Sequence, residues 1–368
     1  MLLLAAAPAF IPITASAKPA VVVKSTAAVR AELGREAVAL LSGAGSDPDP
    51  EVRASVATTW GLLGNRAAVP FLKKALSDGN PDVRIAAAAS LYKLGEVDGL
   101  TNLIDETKTS GGAPPTTPAQ ELRRMARDAA RARAVLKLGD IAGENARAAI
   151  DSAHKDPEGE VRDAAAIALA RLGDAGTSAP FLSAITDPDE AVRASAAHSL
   201  GLIGREGRDT LVKLAGSDPA VSVRAEACGA LGAFNDPASA AALAAALKDK
   251  SGRVRLAAAR ALARRVEPDS TAALKALLEK SPQAELALTV EAGLAERGED
   301  TDINLADLTL GQGDPELKTL AVRVLAATRK NEALELLAKA MHSDSSRRIR
   351  AEAAAAIIVR LRRAEAPK

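Results

Sequence analysis

An internal period of 31 residues constrains this chain more than any other feature of its sequence. Arg162, Arg193, Arg224 and Arg255 stand 31 residues apart, as do Arg53 and Arg84. Six residues before each stands an aspartate: Asp47, Asp78, Asp156, Asp187, Asp218 and Asp249. Asp344 with Arg350 repeats the pair near the C-terminus. Degenerate copies begin at Asp314-Pro315, with Leu320 in the arginine's place, and at Ser281-Pro282, which has neither charge. A glycine stands eleven residues after the arginine at Gly64, Gly95, Gly173 and Gly204. A fixed period of this size means one supersecondary unit stacked on copies of itself.

Each unit reads as two helices. The aspartate offers a cap to free N–H groups, and the proline beside it suits a first helical turn. With the arginine as position zero, position −1 is Val52, Val83, Val161, Val192, Val223 and Val254. Position +7 is Trp60, Leu91, Leu169, Leu200, Leu231 and Leu262. Apolar residues at −1, +3, +7 and +10 share one helical face, and the glycine at +11 ends the helix. A shorter helix follows, such as 177–185. One such pair cannot bury its apolar face alone, so the expectation is an all-α solenoid of about ten pairs. At 8–10 Å per layer it predicts an elongated rod or arc ~90 Å long.

Composition agrees. Of 368 residues 48% are hydrophobic but only 2% aromatic. Ala, Leu and Val suit close helix packing and a thin core, which argues against an α/β enzyme or a β-sandwich. Lys and Arg number 48 against 47 Asp and Glu. A net charge of +1 steers the chain neither to nucleic acid nor to an anionic membrane. One cysteine excludes an intramolecular disulfide framework, and three scattered histidines form no metal motif.

The N-terminus differs. Residues 2–13 read LLLAAAPAFIPI, too short to span a bilayer. The small residues Ala15-Ser16-Ala17 fit a cleavage site, so 1–17 is expected to be a signal peptide and 18–368 one solenoid domain, periplasmic or extracellular. No Lys or Arg precedes the apolar stretch. Either the true start lies upstream or the segment is an apolar arm on the first repeat, and Pro8 and Pro12 count against a cap helix. Residues 105–120, DETKTSGGAPPTTPAQ, predict a flexible insertion loop inside the third pair. A basic helix follows it, with Arg123, Arg124, Arg127, Arg131 and Arg133.

The Asp, Val and Arg at this spacing, with a proline in the shorter helix, resemble the HEAT-repeat superfamily. The form Asp-Pro-x4-Val-Arg-x2-Ala-x4-Leu-Gly-x2-Gly, best seen at 187–204, looks like its bilin-lyase (PBS lyase) HEAT-like subgroup. The resemblance covers residues 22 to 363. It implies a right-handed α-solenoid whose Asp and Arg hydrogen-bond between neighbouring repeats, with the longer helices lining the inner face. It also implies a protein partner: a non-enzymatic interaction scaffold or, alternatively, a bilin-lyase-like subunit acting on a chromophore–protein pair.

No residue set demands catalysis. The charge ladder recurs, whereas an active site is made once. Cys228 occupies a slot held elsewhere by Ala57, Ala88, Ala166, Ala197 and Ala259, which marks a core thiol. No His-Glu dipeptide occurs among His154, His198 and His342, which disfavours a diiron hydroxylase of the HEAT-like kind. The expectation is no cofactor, no metal and a monomer. Positions −2, +2, +5 and +9 are expected to face outward from the core. There Arg253, Arg260 and Arg264 form a cationic stripe, with His198 on the same surface, suited to an acidic protein segment.

Overall fold

The computed structural model describes residues 27–109, 115–174, 176–265, 267–280 and 283–365. The predicted signal segment, 1–17, lies outside them. Among the described residues, ten longer helices carry the repeat. Numbered in chain order, they are α2 (Pro50–Leu63), α4 (Pro81–Lys93), α6 (Pro118–Ile141), α8 (Gly159–Leu172), α10 (Glu190–Ile203), α12 (Val221–Leu231), α14 (Gly252–Ala263), α16 (Ala284–Glu296), α18 (Pro315–Ala327) and α20 (Arg347–Glu365). The 18-residue α1 (Ala27–Ala44) precedes them, and between them come the shorter α3 (Val69–Ala75), α5 (Val97–Asp105), α7 (Arg147–Ala153), α9 (Ala179–Ala184), α11 (Arg208–Ser217), α13 (Pro237–Ala246), α15 (Pro268–Leu278), α17 (Asn304–Gln312) and α19 (Glu332–Ser343).

Local chemistry sets the helix ends with one correction. Except for Asp314, which caps α18 by accepting the Leu317 N–H at 3.0 Å, the repeat aspartates do not cap the helices. Asp187 accepts the N–H of Asp189 at 2.8 Å, and Asp189 is the cap, accepting from Ala191 at 2.8 Å. The same turn precedes α4, where Asp78 accepts from Asn80 and Asn80 accepts from Asp82. The repeat aspartate therefore sits two residues outside the helix, its second oxygen left for other work. At the far end Gly64, Gly173 and Gly204 take the left-handed conformation that closes α2, α8 and α10.

Consecutive longer helices pack side by side all the way from α2 to α20. The shorter helices approach one another closely only at α11–α13 and α13–α15. The longer helices thus form the inner wall of a curve, where layers crowd, and the shorter ones the outer wall, where they splay.

The elongated shape expected of such a stack is overturned. α20 packs against α1 along its length and also meets α2. One apolar core runs through both chain ends, joining Ala37, Leu41 and Trp60 to Ile349, Ile357 and Ile358. Across this seam His342 meets Glu36 at 3.1 Å, Arg347 meets Asp47 at 3.3 Å, and Arg362 donates to the Leu63 carbonyl. The solenoid is closed: among the described residues ten inner and ten outer helices make a ring, with α1 as the outer helix between α20 and α2.

Two further expectations change. Val192, at a position that is core elsewhere, is 38% exposed, because α10 packs loosely on α8. The 105–120 segment is partly built in. Thr107 is buried, its carbonyl accepting from Arg131 at 3.1 Å, and Glu106 pairs with Arg84 at 2.6 Å. Residues 110–114 lie outside the described residues.

Candidate functional site

The ladder runs around one rim of the ring. Arg193 shows its unit. Its Nη1 donates to the carbonyls of Asp187 and Pro188 at 2.8 and 3.0 Å, which fixes the side chain on its own repeat. Its Nε and Nη2 clasp the Asp218 carboxylate of the next repeat at 2.9 and 3.1 Å. Arg53 with Asp78 and Arg224 with Asp249 repeat this geometry. These are bidentate, charge-assisted bonds. The Arg53 and Arg224 bonds hold the carboxyls of Asp78 and Asp249 below the usual range.

The ladder departs from its sequence form in six places. Arg131 and Asp156 add a buried rung, and Arg84 uses Glu106 rather than an aspartate. Lys318, not position 320, reaches Asp344 at 2.8 Å. Arg350 donates to the Asp344 carbonyl at 2.7 Å, while Arg347 takes Asp47 across the seam. Two rungs are open among the described residues. Arg162 binds its own Asp156 and Pro157 carbonyls at 2.7 Å but makes no pair with Asp187. Arg255 binds the Asp249 and Lys250 carbonyls at 2.9 and 3.1 Å and meets no carboxylate.

The inner wall carries a second set of charges, linking neighbouring long helices. Arg133 pairs with Asp82 at 2.8 Å, Arg171 with Asp140, and Arg323 with Glu296 at 2.8 Å. The predicted stripe lies here, but much of it is countered. Glu226 holds His198 at 3.4 Å and Arg253 at 3.7 Å, and Glu285 holds Arg260 at 2.8 Å. Arg264 differs. Its one acceptor among the described residues is the Gly229 carbonyl at 3.5 Å. It meets solvent, yet protein surrounds it on the concave side. Burial first, then the charges of Arg323 and Arg260, push its pKa down. In the basic helix α6, Arg124 is likewise countered, bridging Glu121, Asp128 and Glu158.

Cys228 is fully buried, and burial pushes its thiol up to about 12, so it is protonated near neutrality. Glu291 was not singled out by the sequence. It is 7% exposed, and burial, reinforced by Asp302, raises its carboxyl to about 7. No periodic signal marks it, because its repeat has lost the ladder charges. Among the described residues no group of three His, Cys, Asp or Glu is placed to hold a metal ion. No described helix is long and apolar enough to cross a membrane.

A family model described as HEAT repeats matches residues 37–110, 117–201, 146–220, 178–251 and 208–295. No curated protein matches the sequence. Among solved structures, an engineered protein is 18% identical over 89% of this chain and 99% of its own, with a TM-score of 0.32. Human deoxyhypusine hydroxylase is 20% identical over 72% of this chain and 96% of its own, with a TM-score of 0.31. The CpcE–CpcF complex of phycocyanin lyase from Nostoc sp. PCC7120 is 20% identical over 73% and 92%, with a TM-score of 0.32.

Proposed function

Because the chain belongs to the HEAT-repeat family, we propose that it is a non-enzymatic protein-interaction scaffold whose inner wall receives an acidic protein segment. The observation that carries this reading is Arg264. A guanidinium left without a carboxylate, beside Arg260 and Arg323, is electrostatically unfavourable in the free protein. A partner carboxylate relieves it, and arginine's fork suits that contact. Arg253, Arg260 and His198 lie on the same wall, where Glu226 and Glu285 keep them ordered. The protein acts outside the cytoplasm as a monomer, with residues 1–17 removed, so native protein is expected to begin at Lys18.

The test is affinity capture from a cell-envelope extract, followed by rebinding of the purified candidate. Reversing Arg253, Arg260 and Arg264 to Glu is expected to weaken binding at least about tenfold. It is also expected to flatten the salt dependence. Wild-type affinity in a folded triple variant rejects this wall as the site.

A further inference from the structure

The open rung at Arg255 lies in a cleft of about 840 Å³ between α14 and α16, lined by Leu247, Lys248, Leu256, Leu277 and Lys280 as well as Arg255. Three observations bear on what fits it. First, Arg255 is held in the ladder pose. Its Nη1 binds two carbonyls of its own repeat at 2.9 and 3.1 Å, matching 2.8 and 3.0 Å for Arg193. Its Nε and Nη2 therefore occupy the places from which Arg193 and Arg224 clasp an aspartate 25 residues on.

Second, the residue 25 positions after Arg255 is Lys280, a cation in the acid's place. Among the described residues Lys248, Arg255 and Lys280 make no ion pair. The two carboxylates at the cleft are already engaged, Asp249 by Arg224 and Glu285 by Arg260. Third, Leu247, Leu256, Leu277 and Leu286 form an apolar wall, and Arg253 adds a further cation to the lining, so the cleft offers a cationic end and an apolar side. A guanidinium already oriented by two bonds loses little further freedom when a carboxylate arrives.

We propose that this cleft binds an acidic segment of a partner protein, whose Asp or Glu side chain completes the ladder at Arg255 while an adjacent apolar residue meets the leucines. The proposal rests on the scaffold reading and places a second contact at Arg255, in a cleft that Arg253 of the stripe also lines.

The ring supplies its own probe. An acetylated, amidated, fluorescein-labelled peptide copying residues 213–222 carries Asp218, which fills the equivalent place against Arg193. Fluorescence anisotropy with the intact protein is expected to show saturable binding. Arg255→Gln, or Asp218→Asn in the peptide, is expected to weaken it about tenfold, the loss of one charge-assisted pair. Lys280→Asp supplies a carboxylate to Arg255 from within the ring. It is expected to abolish peptide binding and raise the melting temperature.

Equal binding by Arg255→Gln, unchanged binding by Lys280→Asp, or no saturable binding at millimolar peptide overturns the proposal. Competition by inorganic phosphate at lower concentration than acetate overturns its carboxylate commitment and points to a phosphorylated segment. The titration needs no native partner, so it can fail while a variant reversing only Arg260 and Arg264, which leaves Arg253 in the cleft intact, still loses its partner, and the reverse also holds.

Discussion

Each ladder arginine does two separable jobs, and the open rungs tell them apart. Bonds from Nη1 to two carbonyls tie the turn of one repeat to its own helix. Bonds from Nε and Nη2 tie that repeat to the next. Arg193 does both, and its side chain and that of Asp218 are only 13% and 4% exposed. Arg162 does the first job alone. Arg193→Ala strands a buried carboxylate and is expected to lower stability by about 3 kcal/mol, whereas Arg162→Ala is expected to lose about 1 kcal/mol or less. Burial acts to raise the Asp218 pKa, but the Arg193 bond, the Ala220 N–H and nearby arginines outweigh it and leave it lowered. A depressed carboxyl contributes stability above its unfolded pKa and loses it as pH falls through the folded one. The gap between the two variants therefore closes below about pH 4, as urea unfolding across pH checks; equal losses for both at pH 7 would remove the inter-repeat role. Arg193 and Asp218 were legible in the sequence because they keep the register. Arg131 keeps it too, but its repeat's acid had moved into the inserted segment as Glu106. Lys318 was illegible because it reaches Asp344 from two residues before the expected place.

At the scale of helices, the step between repeats is uneven, and glycine explains where it tightens. α2, α6 and α10 pack most closely on the helix that follows. Each carries a glycine eight residues after its arginine: Gly61, Gly139 and Gly201. A Cβ on Gly201 would stand 2.6 Å from the Ala230 Cα, and one on Gly61 2.9 Å from the Ser90 Cα. α4 and α8 have Tyr92 and Ala170 at that position, and both sit further from the next long helix. At α8–α10 the consequence spreads: the Arg162–Asp187 rung is open and Val192 is exposed. Gly201→Ala is expected to lower stability by about 1–3 kcal/mol, since backbone must move to admit the methyl. Gly229→Ala, in α12 with nothing within 4 Å of its added Cβ, is expected to raise it by roughly 0.5–1 kcal/mol through helix propensity. Thermal melts of the two variants check the pair, and like signs would refute the packing account. The helices and their apolar face were readable from period and spacing. The alternation of tight and loose steps was not, because it depends on which neighbour each glycine meets.

For the whole molecule, closure follows from curvature, and curvature is a small rotation repeated ten times. The period sets the local step, but a minor change in each rotation decides between an open arc and a ring, so the sequence predicted an elongated rod or arc. The chain ends did hold a signal. The first described helix is a lone outer helix and the last a lone inner one, two half-repeats that make one whole pair when they meet. An open solenoid needs polar caps on its terminal repeats. Here the termini cap each other instead, with Leu41 and Ile357 fully buried in the shared core. Closure also limits the inner wall to a fixed curvature, so its charged pairs face one another across a concave surface rather than along a flexible groove. Small-angle scattering of the intact protein is expected to give a radius of gyration near that of a globule of this length, ~21 Å. An open ten-pair rod ~90 Å long gives ~26 Å or more. Removing residues 1–45 deletes α1 and uncovers the apolar side of α20, leaving the outer face of α2 unpartnered as well. Both uncovered surfaces are apolar and were covered by α1, so they are open to association between molecules. The truncated protein is therefore expected to have a larger radius and to associate as concentration rises. A truncated monomer with the intact protein's radius would mean that α1 does not hold the ring shut.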